Sequence, residues 1–150
     1  AGGRVWLTTA VTEKAAGRSA VSLRVLAFDV ESGKSVVDVE VFRLARPRPM
    51  HAKNSYASPT PILDGDRVYV HFGADGTAAL TTAGAVVWRT TLPYESQHGG
   101  GGSPVLYRDL LILSADGNPG FGSVLKVLGA LGYSLELRTR PRPRQASRSR

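Results

Sequence analysis

Thr60-Pro61-Ile62-Leu63-Asp64-Gly65-Asp66-Arg67-Val68-Tyr69-Val70 returns further along the chain as Ser103-Pro104-Val105-Leu106-Tyr107-Arg108-Asp109-Leu110-Leu111-Ile112-Leu113. The copies are offset by 43 residues. Each opens on a hydroxyl residue and proline, runs through two apolar residues into a turn, and resumes as an apolar strand. Strand-rich repeats with a period of roughly 40–45 residues mark the blades of a β-propeller.

Working outward, the repeat around the first copy reads as four short antiparallel strands. Pro61–Leu63, Arg67–Phe72, Thr77–Thr82 and Ala85–Thr91 are separated by Asp64-Gly65, Asp75-Gly76 and Ala83-Gly84. Turn signals at this spacing give an all-β pattern. The fourth strand carries Val87-Trp88-Arg89, and a tryptophan there suits the flat contact between adjacent blades. Toward the N-terminus, Gly2-Gly3-Arg4-Val5-Trp6-Leu7 matches the middle of the repeat, Gly65-Asp66-Arg67-Val68-Tyr69-Val70, without the inner strand that should precede it. The chain therefore reads as part of a longer protein. Strands are expected at Val5–Thr9, Leu23–Phe28 and Val37–Phe42, the last two joined by Glu31-Ser32-Gly33-Lys34, where glycine supplies the positive φ of a tight turn. The small, polar stretch Thr12–Ala20 reads as a loop. The expected fold is all-β and propeller-type, two four-stranded blades plus a partial one in an incomplete ring, with blades at about 3–45, 58–92 and 103–137.

The third repeat starts well, with Ser103–Leu106, Leu110–Ser114 and Asp116-Gly117, and then drifts. Phe121–Val127 and Tyr133–Leu137 would be its third and fourth strands. Residues 138–150 follow as an Arg-, Pro- and Ser-rich tail, expected to be disordered because proline removes ladder donors and like charges repel. Such an ending is also what a shifted reading frame in a GC-rich gene would produce.

Composition excludes several functions. No cysteine is present, which rules out disulfides and Cys-type zinc sites. No apolar run reaches the roughly 18 residues of a membrane-spanning helix. The formal charge is +7, but Arg138, Arg140, Arg142, Arg144, Arg148 and Arg150 follow the last acid, Glu136; without these six, 13 basic residues face 12 acidic ones. The basicity belongs to the tail, which would bind phosphates in a salt-dependent way. Nucleic-acid binding by the Arg tail is the third of three functional readings, since no aromatic residues interleave the arginines. Gly99–Gly102 is not followed by the Lys and Ser/Thr of a phosphate loop. No serine sits in a nucleophile-elbow motif.

The residues His51-Ala52-Lys53-Asn54-Ser55-Tyr56-Ala57-Ser58-Pro59-Thr60-Pro61-Ile62-Leu63-Asp64-Gly65-Asp66-Arg67-Val68-Tyr69-Val70 resemble the pyrroloquinoline-quinone-like β-propeller repeat proteins of bacteria, as do Leu92-Pro93-Tyr94-Glu95-Ser96-Gln97-His98-Gly99-Gly100-Gly101-Gly102-Ser103-Pro104-Val105-Leu106. The resemblance covers about residues 3–117. It implies a periplasmic or secreted location and one of two functions. One is a non-catalytic scaffold binding a small ligand or an envelope protein, beside the remaining blades of a parent chain. The other is a fragment of a quinone (PQQ)-dependent oxidoreductase holding pyrroloquinoline quinone with calcium. The quinone-holding members carry a vicinal cysteine pair that this chain lacks, so the scaffold reading is preferred and no catalytic residue or metal ligand is assigned.

In such a fold the connections Met50–Ser58 and Tyr94–Gly102, and the turns Phe72–Gly76 and Ala115–Asn118, should meet at one mouth of the ring. They carry His51, Lys53, Asn54, Tyr56, Asp75, Glu95, Gln97, His98 and Asp116 as candidate ligand-binding residues, because loops held by rigid strands are where binding residues concentrate. The competing reading is that these polar side chains hold the loops themselves. His71 lies within a strand, opposite to Val68 and Val70, and is expected to be solvated or satisfied inside the blade.

Overall fold

The computed structural model describes residues 3–15, 18–52, 54–91, 100–114 and 124–127. Among these residues, ten strands form three antiparallel sheets. Sheet 1 is β1 (Arg4–Ala15), β2 (Arg18–Asp29) and β3 (Ser35–Leu44). Sheet 2 is β4 (Ile62–Asp64), β5 (Arg67–His71), β6 (Thr77–Thr81) and β7 (Val86–Thr90). Sheet 3 is β8 (Val105–Tyr107), β9 (Leu110–Ser114) and β10 (Val124–Val127). Neighbours in sequence are neighbours in each sheet, and no sheet closes on itself among the described residues. The all-β, propeller-like expectation holds.

The twin segments occupy equivalent places. Ile62 pairs with Tyr69 and Asp64 with Arg67; Val105 pairs with Ile112 and Tyr107 with Leu110. Each hairpin turns through two residues, the first with positive φ: +55° at Gly65 and +54° at Arg108. The sequence matched β1 to β5, and the register agrees: Val5 pairs with Phe28 in β2 as Val68 pairs with Leu80 in β6. Among the described residues, β1 has no inner neighbour of the kind that β4 gives β5. Trp6, the counterpart of Tyr69, is buried, and its indole N–H has no acceptor among the described residues.

Alternation decides how the sheets stack. In sheet 2, Val68, Val70, Ala78 and Leu80 face sheet 1 and join one core with Trp6, Leu23, Val25, Ala27, Val37 and Val41. The opposite face, with Ile62, Tyr69 and Trp88, packs on Leu106, Leu111 and Leu113 of sheet 3. Trp88 thus lies between sheets, with the Tyr69 ring tilted against it at 6.3 Å between centroids. Sheet 2 is covered on both sides. Burying such side chains supplies about 1.5–3 kcal/mol each, which is what holds the stack. Polar links fasten the sheet 1–sheet 2 seam: Thr8 Oγ1 donates to the Ala57 and Pro59 carbonyls at 3.1 and 3.0 Å, and Arg89 donates to the Val41 carbonyl at 3.0 Å.

One expectation in sheet 1 is corrected. Thr12–Ala20 is not a loop: β1 runs to Ala15 and β2 begins at Arg18, with Thr12 paired to Val21 and Ala15 to Arg18. The small polar side chains tolerate a solvated hairpin, and Arg43 on β3 clamps it by pairing with Glu13 as well as Glu40. Along β3, Val37 and Val41 are buried and Val39 half-buried, with Asp38 and Glu40 exposed between them, and the alternation breaks only at Phe42. Leu23 pairs with Phe42 but Arg24 with Glu40, so Val41 is the extra residue of a β-bulge. The bulge brings Phe42 to the core side beside Val41, where it meets Phe72 edge to face with centroids 5.9 Å apart. In the third repeat, the expected third strand is realised as β10; the expected fourth strand at Tyr133–Leu137 and the tail 138–150 lie outside the described residues.

Candidate functional site: a loop mouth

Of the four segments expected at the mouth, Met50–Ser58, Phe72–Gly76 and the described end of Tyr94–Gly102, at Gly100, meet there, while Ala115–Asn118 lies outside the described residues. β3 ends at Leu44, and Pro47 and Pro49 carry the chain out of the sheet because proline lacks the ladder N–H. The connection returns through residues 50–61 to β4. Opposite it, the turn after β5 folds back on itself, with the Phe72 N–H donating to the Gly76 carbonyl at 2.8 Å. Gly76 has φ +151°, and a Cβ there would lie 2.5 Å from Phe42 Cε1, so the Phe42 ring occupies the space that a side chain would need. Gly100 closes the third side. A Cβ at Gly100 would lie 2.5 Å from Gly73 Cα, so the connection into β8 passes the turn backbone to backbone.

Together these segments enclose a cavity of about 70 Å³, lined by Arg48, Pro49, Met50, Tyr56, Ala74, Asp75 and Gly100. Arg48 Nη2 lies 3.0 Å from Asp75 Oδ1, with the Asp75 side chain 13% exposed and that of Arg48 58% exposed. The Tyr56 hydroxyl donates to the Arg48 carbonyl. Burial, and then the Asp75 carboxylate, push the Tyr56 phenol above its ordinary value, while Arg48 acts in the opposite sense. The 50–61 connection is also tied internally. The Asn54 N–H donates to the His51 carbonyl at 2.9 Å, and the Ser55 N–H to Ser58 Oγ at 2.9 Å.

Of the nine residues expected at the mouth, Tyr56 and Asp75 line the cavity, Asn54 is half-buried, and His51 is exposed on the same connection. Lys53, Glu95, Gln97, His98 and Asp116 lie outside the described residues. Arg48 and Met50 were not among the expected residues. The Arg46-Pro47-Arg48-Pro49 run was the available signal: two prolines just beyond the end of β3 keep the chain from resuming the strand, which places Arg48 in the connection. His71 is no part of the mouth. Its side chain is 1% exposed, its Nδ1 and Thr77 Oγ1 lie 2.9 Å apart, and burial lowers its pKa to about 4. It is satisfied inside the blade.

The arrangement offers a guanidinium at the rim, a mostly buried carboxylate and a phenol around a small opening. It has room for ordered water or the tip of one inserted side chain. Small-molecule sites start at about 300 Å³. No group of three or more acidic, histidine or cysteine side chains among the described residues could hold a metal ion. The described residues therefore do not fit a tricyclic quinone with calcium, and no chemistry is routed through that pair. No helix among the described residues is long and apolar enough to cross a membrane. The chain matches no family model and no curated protein sequence.

Proposed function

We propose that this chain is a non-catalytic binding scaffold of the pyrroloquinoline-quinone-like repeat type, located in the bacterial envelope, and that it meets a protein partner at the loop mouth. The observation that carries the reading is the closure of the mouth by Arg48, Asp75 and Tyr56 around an opening of only about 70 Å³. An opening of that size accepts a side chain presented by another surface. The stacked sheets hold the loops in place, and Arg48 and Tyr56 are residue types that dominate protein–protein contacts.

A photo-reactive amino acid at His51, on the mouth, should trap a discrete envelope protein. The same group at Lys34, in the turn at the opposite end of sheet 1, should not. Tyr56→Ala and Asp75→Ala should each lower trapping about fivefold, equivalent to about 1 kcal/mol. Equal trapping from both ends would sink the proposal, and so would a stoichiometric spectral change on adding pyrroloquinoline quinone and calcium.

A further inference from the structure

The outward face of sheet 1 repeats, position by position, a face that is covered elsewhere in the molecule. Val5 and Phe28 are paired, as are Leu7 and Leu26. Their counterparts in sheet 2 are the pairs Val68–Leu80 and Val70–Ala78. All four counterparts have no exposed surface, because sheet 1 lies on them. In sheet 1 nothing lies on this face among the described residues. Val5 is 53% exposed, Val36 46%, and Leu7, Leu26 and Phe28 are only half-buried.

The other end of the stack shows the converse. Leu106, Leu111 and Leu113 of sheet 3 turn toward sheet 2. Alternation leaves Val105, Tyr107 and Ile112 on the far face, with Val105 57% and Tyr107 58% exposed. Val105 and Ile112 hold the places of Ile62 and Tyr69, the residues with which sheet 2 covers sheet 3. The two exposed faces are thus the two halves of a contact that the molecule already makes twice.

We propose that a second copy of this chain docks there head to tail, sheet 3 of one copy on sheet 1 of the next. The contact continues the sheet-on-sheet packing of the stack with the same residue positions. It uses only the part of sheet 1 nearer the Val30–Lys34 turn. Toward the mouth the same face becomes polar, with Arg24 2.7 Å from Asp38 and Arg43 3.1 Å from Glu40. The mouth stays open in such an assembly. Because the two faces differ, the interface is heterologous and builds rings or open chains rather than symmetric pairs. Exposed apolar faces of this kind are what association removes from water.

The test is sedimentation velocity on the full chain over a range of concentrations. The mass should rise with concentration. Val5→Arg blocks one face and Val105→Arg the other, so each variant should be at least about tenfold weaker in association, a loss of about 1.4 kcal/mol. Mixed together, the two variants should form a dimer and nothing larger, since one intact face of each kind remains. That recovery also shows that both variants are folded. Because the chain has no cysteine, a Val5→Cys/Val105→Cys double variant should form a ladder of disulfide-linked multimers on oxidation, and Val5→Cys alone should not. A chain that is monomeric at every concentration overturns the proposal. So do single variants that associate like the parent, a mixture that stays monomeric, or Val5→Cys dimers formed as fast as the ladder.

Discussion

The Thr60 N–H donates to Ser103 Oγ at 2.9 Å, and these two residues hold the same place in consecutive repeats, 43 positions apart. The start of one inner strand therefore touches the start of the next. Ser103→Ala should remove the acceptor while leaving the proline turn intact. The bond is solvent-accessible, so the expected loss is about 0.5–1 kcal/mol, at the low end for a hydrogen bond. Ser103→Thr should restore it. Urea unfolding of the three proteins measures the difference.

Arg108 is the only non-glycine residue with positive φ among those described, and it stands where the preceding repeat has Gly65. An L-residue in that conformation costs roughly 1–2 kcal/mol. Arg108 recovers part of this by lying over the Tyr107 ring, 5.4 Å from its centroid. Arg108→Gly should accordingly stabilise the chain by about 0.5–1 kcal/mol. Gly65→Ala should destabilise it by about 1 kcal/mol for conformational reasons alone, since a Cβ there meets nothing within 4 Å. A denaturant midpoint that moves the wrong way for either variant contradicts the equivalence of the two turns.

Gly76 and Phe42 should behave as a coupled pair. A methyl at residue 76 lies within the space of the Phe42 ring, so Gly76→Ala should cost about 2–3 kcal/mol. Phe42→Ala removes the obstruction at the expense of its contact with Phe72. The double variant should therefore be more stable than the sum of the single losses predicts, by about 1 kcal/mol or more in a double-mutant cycle.

His71 makes stability depend on pH in a stated direction. Burial lowers its pKa from 6.5 to about 4, so the folded state favours the neutral ring. An unfolded chain binds the proton first as pH falls. The stabilising contribution is complete above pH 6.5, declines as pH falls toward about 4, and is gone below it. Its size is on the order of 3 kcal/mol. Urea melts across this window should lose stability on acidification, and His71→Phe should flatten that part of the profile.

At the mouth, Asp75→Asn should lower the pKa of the Tyr56 phenol, because the carboxylate opposes formation of the phenolate. Ultraviolet difference titration against a Tyr56→Phe control reads this directly. The same variant loses the Arg48 ion pair, which is partly exposed and should be worth at most about 1 kcal/mol.

Much of this architecture was legible in the residues. The matched Thr-Pro and Ser-Pro copies located two hairpins, and the Gly2-Gly3-Arg4 match placed β1 as the counterpart of β5. Trp88 was placed between sheets by its area alone. What was not legible depended on contacts distant in sequence. The β1–β2 hairpin reaches Ala15 because Glu13 meets Arg43 on β3; nothing within Thr12–Ala20 announces a strand. Phe42 packs against the core beside buried Val41 because a bulge shifts the pairing between Leu23 and Arg24, and period-two reading has no means to see a bulge. The mouth was found from topology, which put Tyr56 and Asp75 together. Arg48 was missed because the connection was begun at Met50 and not after Leu44, where β3 ends.

The approach of Gly100 to Gly73 has a consequence for recognition. Where the two glycines meet, the rim is bare peptide among the described residues, with neither residue offering a side chain to touch. A visitor reaching it encounters carbonyl and amide groups that every polypeptide owns, and these cannot be deleted by replacing one amino acid with another. Selectivity must then come from the side chains around the rest of the opening, those of Arg48, Tyr56 and Asp75, so the mouth divides its work between an invariant grip and a variable one.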